Sequence, residues 1–418
     1  MTKQVRLVLS LMLVAAAALL LASCGHYTCG ATFGNSSCSA SGGGIGTGNG
    51  NGAVTVASYF IANGGNTRNM NSIELTSAAG LVTTPGFSNP VLPPLVNNLY
   101  SDALLIVNKK FVYVPYGPSA QLFAWSINST TMDLVAISGS PYPATYAQGI
   151  PPVFVIMQPI ATTPNGNFLF IADTNDQQII SYQIDQNTGA LTQSPGSPLS
   201  TSGVVTPWNL ATDGQGRFLY VTEGNDFGEG QNIAVYQINQ TNGSLSGGTA
   251  LGFNMWQVQG DSSGNFLVGA TGETSNAPDK LLDQSLHVFS INQTNGTLTP
   301  VSGSPFATVS APTWVVIHPN GKFVYSVGIV PTTNGDGPLE GFSLDSTTGL
   351  LTTIQGSPFS NLLIPFGAMF DQTGGNLFLH VPNELGFCTV NSATGVPTLS
   401  SSTLHISGNL PWAVTDTQ

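Results

Sequence analysis

The chain has 418 residues, of which 49 are Gly and 27 Pro, a turn-rich composition that stays below the low-complexity range. Charged residues make up 7% of it, with 8 Lys and Arg against 20 Asp and Glu and a net charge of −12, while 41% of the residues are hydrophobic. This leaves ample material for a core and excludes a coiled coil, a charge-driven disordered chain and a nucleic-acid binder, since no basic cluster exists to hold a phosphate backbone.

Taken from the N-terminus, Lys3 and Arg6 precede an apolar stretch from Leu7 to Leu20, and Leu21-Ala22-Ser23-Cys24 supplies a small-residue cleavage site ending in Cys. The stretch is short for a membrane-spanning helix. These residues resemble a bacterial lipoprotein signal, and the resemblance implies removal of residues 1–23, a lipid on Cys24 and attachment to a membrane. Gly25 after the cysteine, rather than Asp, resembles signals that lead to the outer membrane, so the expected address is the cell envelope, on its periplasmic or surface side. Residues 24–52 are Gly, Ser and Asn with hardly a large apolar group, too little to offset the entropy of ordering. They read as a tether with a mean span of about 30 Å. Cys29 and Cys38 within it either close a small disulfide or stand as separate thiols.

From residue 53 onward the chain repeats itself. One signature runs aromatic, polar, aliphatic, Asp or Asn, two or three polar residues, Gly and Leu, as in Tyr182–Thr192, Tyr236–Ser246, Phe289–Thr299 and Phe342–Thr352. Its glycines, Gly189, Gly243, Gly296 and Gly349, recur every 53 or 54 residues, and weaker copies at Asn71, Trp125 and Cys388 bring the number to seven. A second signature, Pro-Asn-Gly or Gly-Gln-Gly before an alternating apolar run, falls between the copies at Pro164, Gly214 and Pro319. Each repeat therefore reads as four short antiparallel strands with period-two alternation and Asn-Gly or Thr-Gly turns. The expected fold for 53–418 is all-β: a seven-bladed β-propeller with four strands per blade. Leu410 to Asp416 copies the first-strand pattern of Pro207 to Asp213 with the rest of its blade missing, so the C-terminal strand is expected to complete the first blade and close the ring.

His318-Pro319-Asn320-Gly321-Lys322-Phe323-Val324-Tyr325, Tyr220-Val221-Thr222 and the repeated Thr-Gly-x-Leu strand ends resemble the bacterial β-propeller lactonases of 6-phosphogluconolactonase type and the related YVTN-repeat propellers. The resemblance implies a propeller over 53–418 and, through the family's Gly-Pro-Arg-His stretches at the starts of inner strands, activity on an anionic lactone. Here those positions read Thr206-Pro207-Trp208-Asn209, Ala311-Pro312-Thr313-Trp314 and Ile364-Pro365-Phe366-Gly367, without the Arg-His pair. The expected function is accordingly a monomeric, lipid-anchored scaffold that binds an envelope protein or a saccharide. The alternative is a lactonase-like hydrolase acting on a weakly charged lactone, with Glu223 or Glu384 as general base.

Beyond the leader the cations are Arg68, Lys109, Lys110, Arg217, Lys280 and Lys322, and four of them fall in the turn after a first strand. Only Arg68 and Lys280 belong to loops between second and third strands. There the acids gather, Asp173, Glu223, Asp226, Glu229, Asp283, Glu340 and Glu384 among them, a bias that either attracts cations or simply suits solvated loops. Glu223, Asp226 and Glu229 offer oxygen ligands of the kind calcium takes. The histidines are scattered and carry no zinc spacing. Trp208, Trp256, Trp314 and Trp412 open first strands and Phe366 takes that place in another repeat. They are candidates for stacking on a sugar ring at the mouth, or else for filling the wedge between neighbouring sheets.

Overall fold

The computed structural model describes the backbone of strands within residues 54–92, 404–405 and 409–416. It describes residues 104–400 with their side chains, apart from 116–120, 129–132, 144–158, 175, 225–231, 273–282, 331–336, 372 and 382–383. The leader, Cys24, the tether, Asp226, Glu229 and Lys280 lie outside the described residues, as do the side chains of Arg68 and Trp412. Every regular element among the described residues is a strand, and the strands form antiparallel sheets that stand side by side in chain order as a β-propeller.

Sheet 1 orders Gly80–Thr83, Thr67–Thr76, Val54–Gly64 and Asn409–Asp416. Sheet 2 runs through Leu105–Val107, Phe111–Tyr116, Gln121–Ile127 and Leu134–Ala136, and sheet 3 through Ile160–Thr162, Phe168–Asp173, Gln178–Ile184 and Leu191–Gln193. Sheet 4 comprises Pro207–Thr212, Phe218–Gly224, Gly230–Ile238 and Leu245–Ala250. Sheet 5 comprises Gln257–Gly260, Phe266–Ala270, Ser285–Ile291 and Leu298–Pro300. Ala311–Ile317, Phe323–Val330, Glu340–Leu344 and Leu351–Thr353 make sheet 6, and Gly367–Phe370, Asn376–Val381, Glu384–Val390 and Pro397–Leu399 make sheet 7. The C-terminal strand pairs antiparallel with Val54–Gly64, Ser58 opposite Asp416 and Asn63 opposite Asn409, so the two ends of the repeat region share one sheet. That pairing removes two sheet edges at once.

The alternation expected of the strands fails in the second strands of sheets 2 to 7, whose side chains are described. Phe168 to Asp173 is buried at all six positions, as is Asn376 to Val381. The reason is that each sheet is covered on both faces by its neighbours, so polar residues have no solvent side to occupy. The core is correspondingly a series of layers between successive sheets. Phe170, Ala172 and Ile179 of sheet 3 meet Leu210, Leu219 and Val221 of sheet 4, and Val268 and Val288 of sheet 5 meet Val315 and Val324 of sheet 6.

The repeated signature is explained by these layers. In the hairpins between third and fourth strands of sheets 3 to 7 a glycine adopts positive φ, +69° at Gly243 and +73° at Gly296, and the turn lies against the preceding sheet. A Cβ on Gly243 would sit 2.4 Å from Phe168, and one on Gly296 2.7 Å from Phe218. The glycine is needed both for the backbone and for the close approach. Above it, the hydroxyls of Tyr113 and Tyr220 donate to the carbonyls of Gly189 and Gly296 in the following sheet at 2.7 and 2.9 Å, and Tyr325 does the same to Gly395.

Candidate active site at the acidic end of the sheets

First and second strands join at one end of each sheet, second and third at the other, and the charges are divided between the two ends. Lys109, Lys110, Arg217 and Lys322 all sit in first-to-second turns. Arg217 is spent on Asp213, whose Oδ2 accepts from its Nε and Nη2 at 2.9 and 2.8 Å. The same end also carries Asp185 and Asp345, each held below the usual carboxylate range by backbone N–H groups of its own turn. The opposite end carries Asp173, Glu223, Asp283, Glu340 and Glu384; of the cations, Arg68 has its described backbone there, at the start of the third strand of sheet 1, with its side chain outside the described ones. The asymmetry expected from the sequence therefore lies in the cations more than in the acids.

Of the aromatic residues read either as stacking on a sugar at the mouth or as filling the wedge between sheets, Trp208, Trp256 and Trp314 do the second. Trp208, Trp256 and Trp314 are 4%, 0% and 7% exposed. Trp208 and Trp256 lie with ring centroids 5.6 Å apart across the junction of sheets 4 and 5, and the Trp314 indole donates to the Ala368 carbonyl of sheet 7 at 2.8 Å. Phe366 is half-buried and meets His380 edge-on at 6.5 Å. Large rings fill the gap where adjacent sheets diverge, which leaves these faces no area for a sugar.

Most carboxylates at the acidic end are committed to the backbone that carries the chain into its sheets. Asp173 accepts from the Asp176 N–H and from the Gln178 amide at 3.1 and 2.8 Å. Glu223 accepts from the Thr206 N–H at 3.2 Å, just ahead of the first strand of sheet 4. Glu340 accepts from Val309 and Ser310 at 2.8 and 2.9 Å, and burial raises its pKa against the lowering effect of those bonds. Of the three residues expected to hold calcium, only Glu223 is described. No group of three potential metal ligands occurs among the described residues.

One constellation escaped the sequence reading. Asp283, Ser285 and His287 occupy alternate positions at the start of the third strand of sheet 5, so they share one face. The His287 Nε2 lies 2.8 Å from Asp283 Oδ2, the Ser285 hydroxyl donates to Asp283 Oδ1, and Ser285 Oγ is 3.4 Å from Nε2. The hydrogen bond from His287 is the largest influence on Asp283 and lowers its pKa; partial burial opposes this and the Ser285 hydroxyl adds to it. The period-two spacing Asp-x-Ser-x-His was present in the sequence, but Asp283 read only as one more loop acid. The described cysteine, Cys388, is buried, and burial pushes its thiol up to about 12, so it is no thiolate.

The family model for "Lactonase, 7-bladed beta-propeller" matches residues 104–253. The 6-phosphogluconolactonase of Erwinia tasmaniensis is 27% identical over 225 residues, 52% of this chain and 58% of that protein. The 6-phosphogluconolactonase of Pectobacterium atrosepticum is 24% identical over 323 residues, 74% of this chain and 83% of that one. Among solved structures, a putative 6-phosphogluconolactonase from Bacteroides fragilis superposes with a TM-score of 0.59 at 16% identity, covering 87% of this chain and 99% of the other. The periplasmic gluconolactonase of Pseudomonas aeruginosa does so with 0.53 at 14%, covering 86% and 99%. In sequence and in fold, the chain is similar to the lactonase β-propellers.

Proposed function

We propose that the chain is a hydrolase of weakly charged lactones, built on a seven-bladed ring and working at the acidic end of its sheets. The relatedness to 6-phosphogluconolactonases over 74% of the chain is the observation that carries the reaction class. The ring count rests on the sequence of sheets 1 to 7, whose innermost strands touch in turn and return from sheet 7 to sheet 1 through Asn409–Asp416. The substrate's charge is argued from the site. A phosphorylated lactone needs cations in bidentate geometry, and the acidic end offers none among the described side chains, with Trp208 where the family places Arg. The carboxylates there, with no described cationic side chain among them, disfavour an anion and leave a neutral ring ester unaffected.

The leader residues Lys3 to Cys24 further support an envelope protein held to a membrane through Cys24, with residues 24–52 as the tether. Cell fractionation tests this: Cys24→Ser is expected to move the protein from the membrane to the soluble fraction, and equal partitioning of both forms contradicts it. The hydrolase reading is tested by following acid release in a pH-stat with a panel of neutral five- and six-membered lactones. Turnover of at least one, above the spontaneous rate, is expected. The missing Arg-His pairs favour a second reading, the binding scaffold, and the absence of turnover across the panel would support that one instead.

A further inference from the structure

We propose that the general base of this site is His287, oriented by Asp283, rather than a carboxylate such as Glu223; the assignment rests on the lactone-hydrolase reading. A carboxylate only accepts, so the 2.8 Å contact requires that His287 Nε2 carry the proton and donate it to Asp283 Oδ2. The other ring nitrogen, Nδ1, then holds a lone pair. No hydrogen bond among the described residues reaches it, and the side chain is 21% exposed. The imidazole is thus fixed in the tautomer that leaves Nδ1 unprotonated as a base, which is the role an orienting carboxylate plays in base catalysis generally.

The ring is also fixed in direction. His287 stacks on Phe289 with planes 15° apart and centroids 6.3 Å apart, and Phe289 in turn packs against Phe253 at 4.6 Å. Ser285 occupies Asp283 Oδ1 and so leaves Oδ2 to the imidazole. With its hydroxyl donated to Asp283, Ser285 acts as a brace and not as a nucleophile. Glu223 by contrast already accepts the Thr206 N–H that holds the start of its sheet.

In the step this arrangement supports, a water oxygen attacks the lactone carbonyl carbon while His287 Nδ1 takes one water proton. The tetrahedral adduct collapses by breaking the ring C–O bond, and the imidazolium returns its proton to the departing alkoxide oxygen. The product is a hydroxy acid, the base is regenerated, and Asp283 stabilises the imidazolium in between.

The test uses the whole mature chain, glucono-δ-lactone as one substrate and p-nitrophenyl acetate as a second that does not depend on lactone recognition. His287→Ala is expected to lower kcat/KM on both by about 100-fold or more and to regain activity when imidazole is added. Asp283→Asn is expected to lower kcat with little change in KM. Lactone turnover that survives His287→Ala, or falls only in Glu223→Gln, overturns the base and keeps the hydrolase reading. His287-dependent cleavage of the acetate ester with no lactone turned over overturns the hydrolase reading and keeps the base. No His287-dependent cleavage of either substrate overturns the assignment.

Discussion

At Gly296 two demands coincide: a φ of +73° and a Cβ position 2.7 Å from the Phe218 ring. Gly296→Ala is therefore expected to destabilise the protein by roughly 2 kcal/mol or more, read as a lowered denaturant midpoint. Such positions were legible in the sequence because positive φ has a compositional signature, Asn-Gly or Thr-Gly, that nothing else explains. The role of Trp208, Trp256 and Trp314 was not legible, since an aromatic at the start of a strand reads alike whether its ring faces a ligand or a neighbouring sheet. His380 belongs to the same class of surprise. It is 2% exposed, both ring nitrogens lack a partner, and burial lowers its pKa from 6.5 to about 4. The folded state thus refuses a proton that the unfolded chain accepts, so stability is full above pH 6.5 and falls as the pH drops towards 4, by on the order of 3 kcal/mol. Urea melts between pH 7 and 4 should show this acid limb and should show it flattened in His380→Leu. An identical limb in the variant would assign the effect to other groups.

At the scale of the element, sheets are held to one another by a small set of directional ties laid over apolar layers. The Gln257 side chain both accepts from and donates to the backbone of Val315, at 2.9 and 3.2 Å, linking the first strands of sheets 5 and 6. Tyr220 reaches Gly296 in the same way across sheets 4 and 5. Tyr220→Phe leaves that buried carbonyl unpaired and is expected to cost about 1–3 kcal/mol, with the strands themselves unchanged by circular dichroism. The strand order was legible from the repeat, because turn glycines at fixed spacing mark hairpins. The full burial of the second strands was not, because period-two reasoning assumes a solvent face that a propeller interior lacks. The pairing of Asn409–Asp416 with Val54–Gly64 makes the C-terminal strand part of the first sheet. Deleting residues 409–418 exposes the edge of Val54–Gly64 and uncovers its neighbours in the ring, so aggregation or a strongly lowered melting temperature is expected; an unchanged melt would mean that the ring does not depend on this strand.

At the scale of the whole molecule, a chain with eight cations places four of them, Lys109, Lys110, Arg217 and Lys322, in turns at one end of the sheets, and sets Asp173, Glu223, Asp283, Glu340 and Glu384 at the other. The relatives are named for a phosphorylated sugar lactone, whereas the ligand proposed for this chain is a lactone without phosphate. Charge was legible in the sequence as a difference between loops; the Asp283–His287 pair was not, because its partners become neighbours only once the strand gives alternate residues a common face. The most direct measurement is the ratio of kcat/KM for glucono-δ-lactone to that for 6-phosphogluconolactone, taken at low and at high ionic strength. The account predicts a ratio well above one that narrows as salt screens the carboxylates. Preference for the phosphorylated lactone at low salt would contradict it.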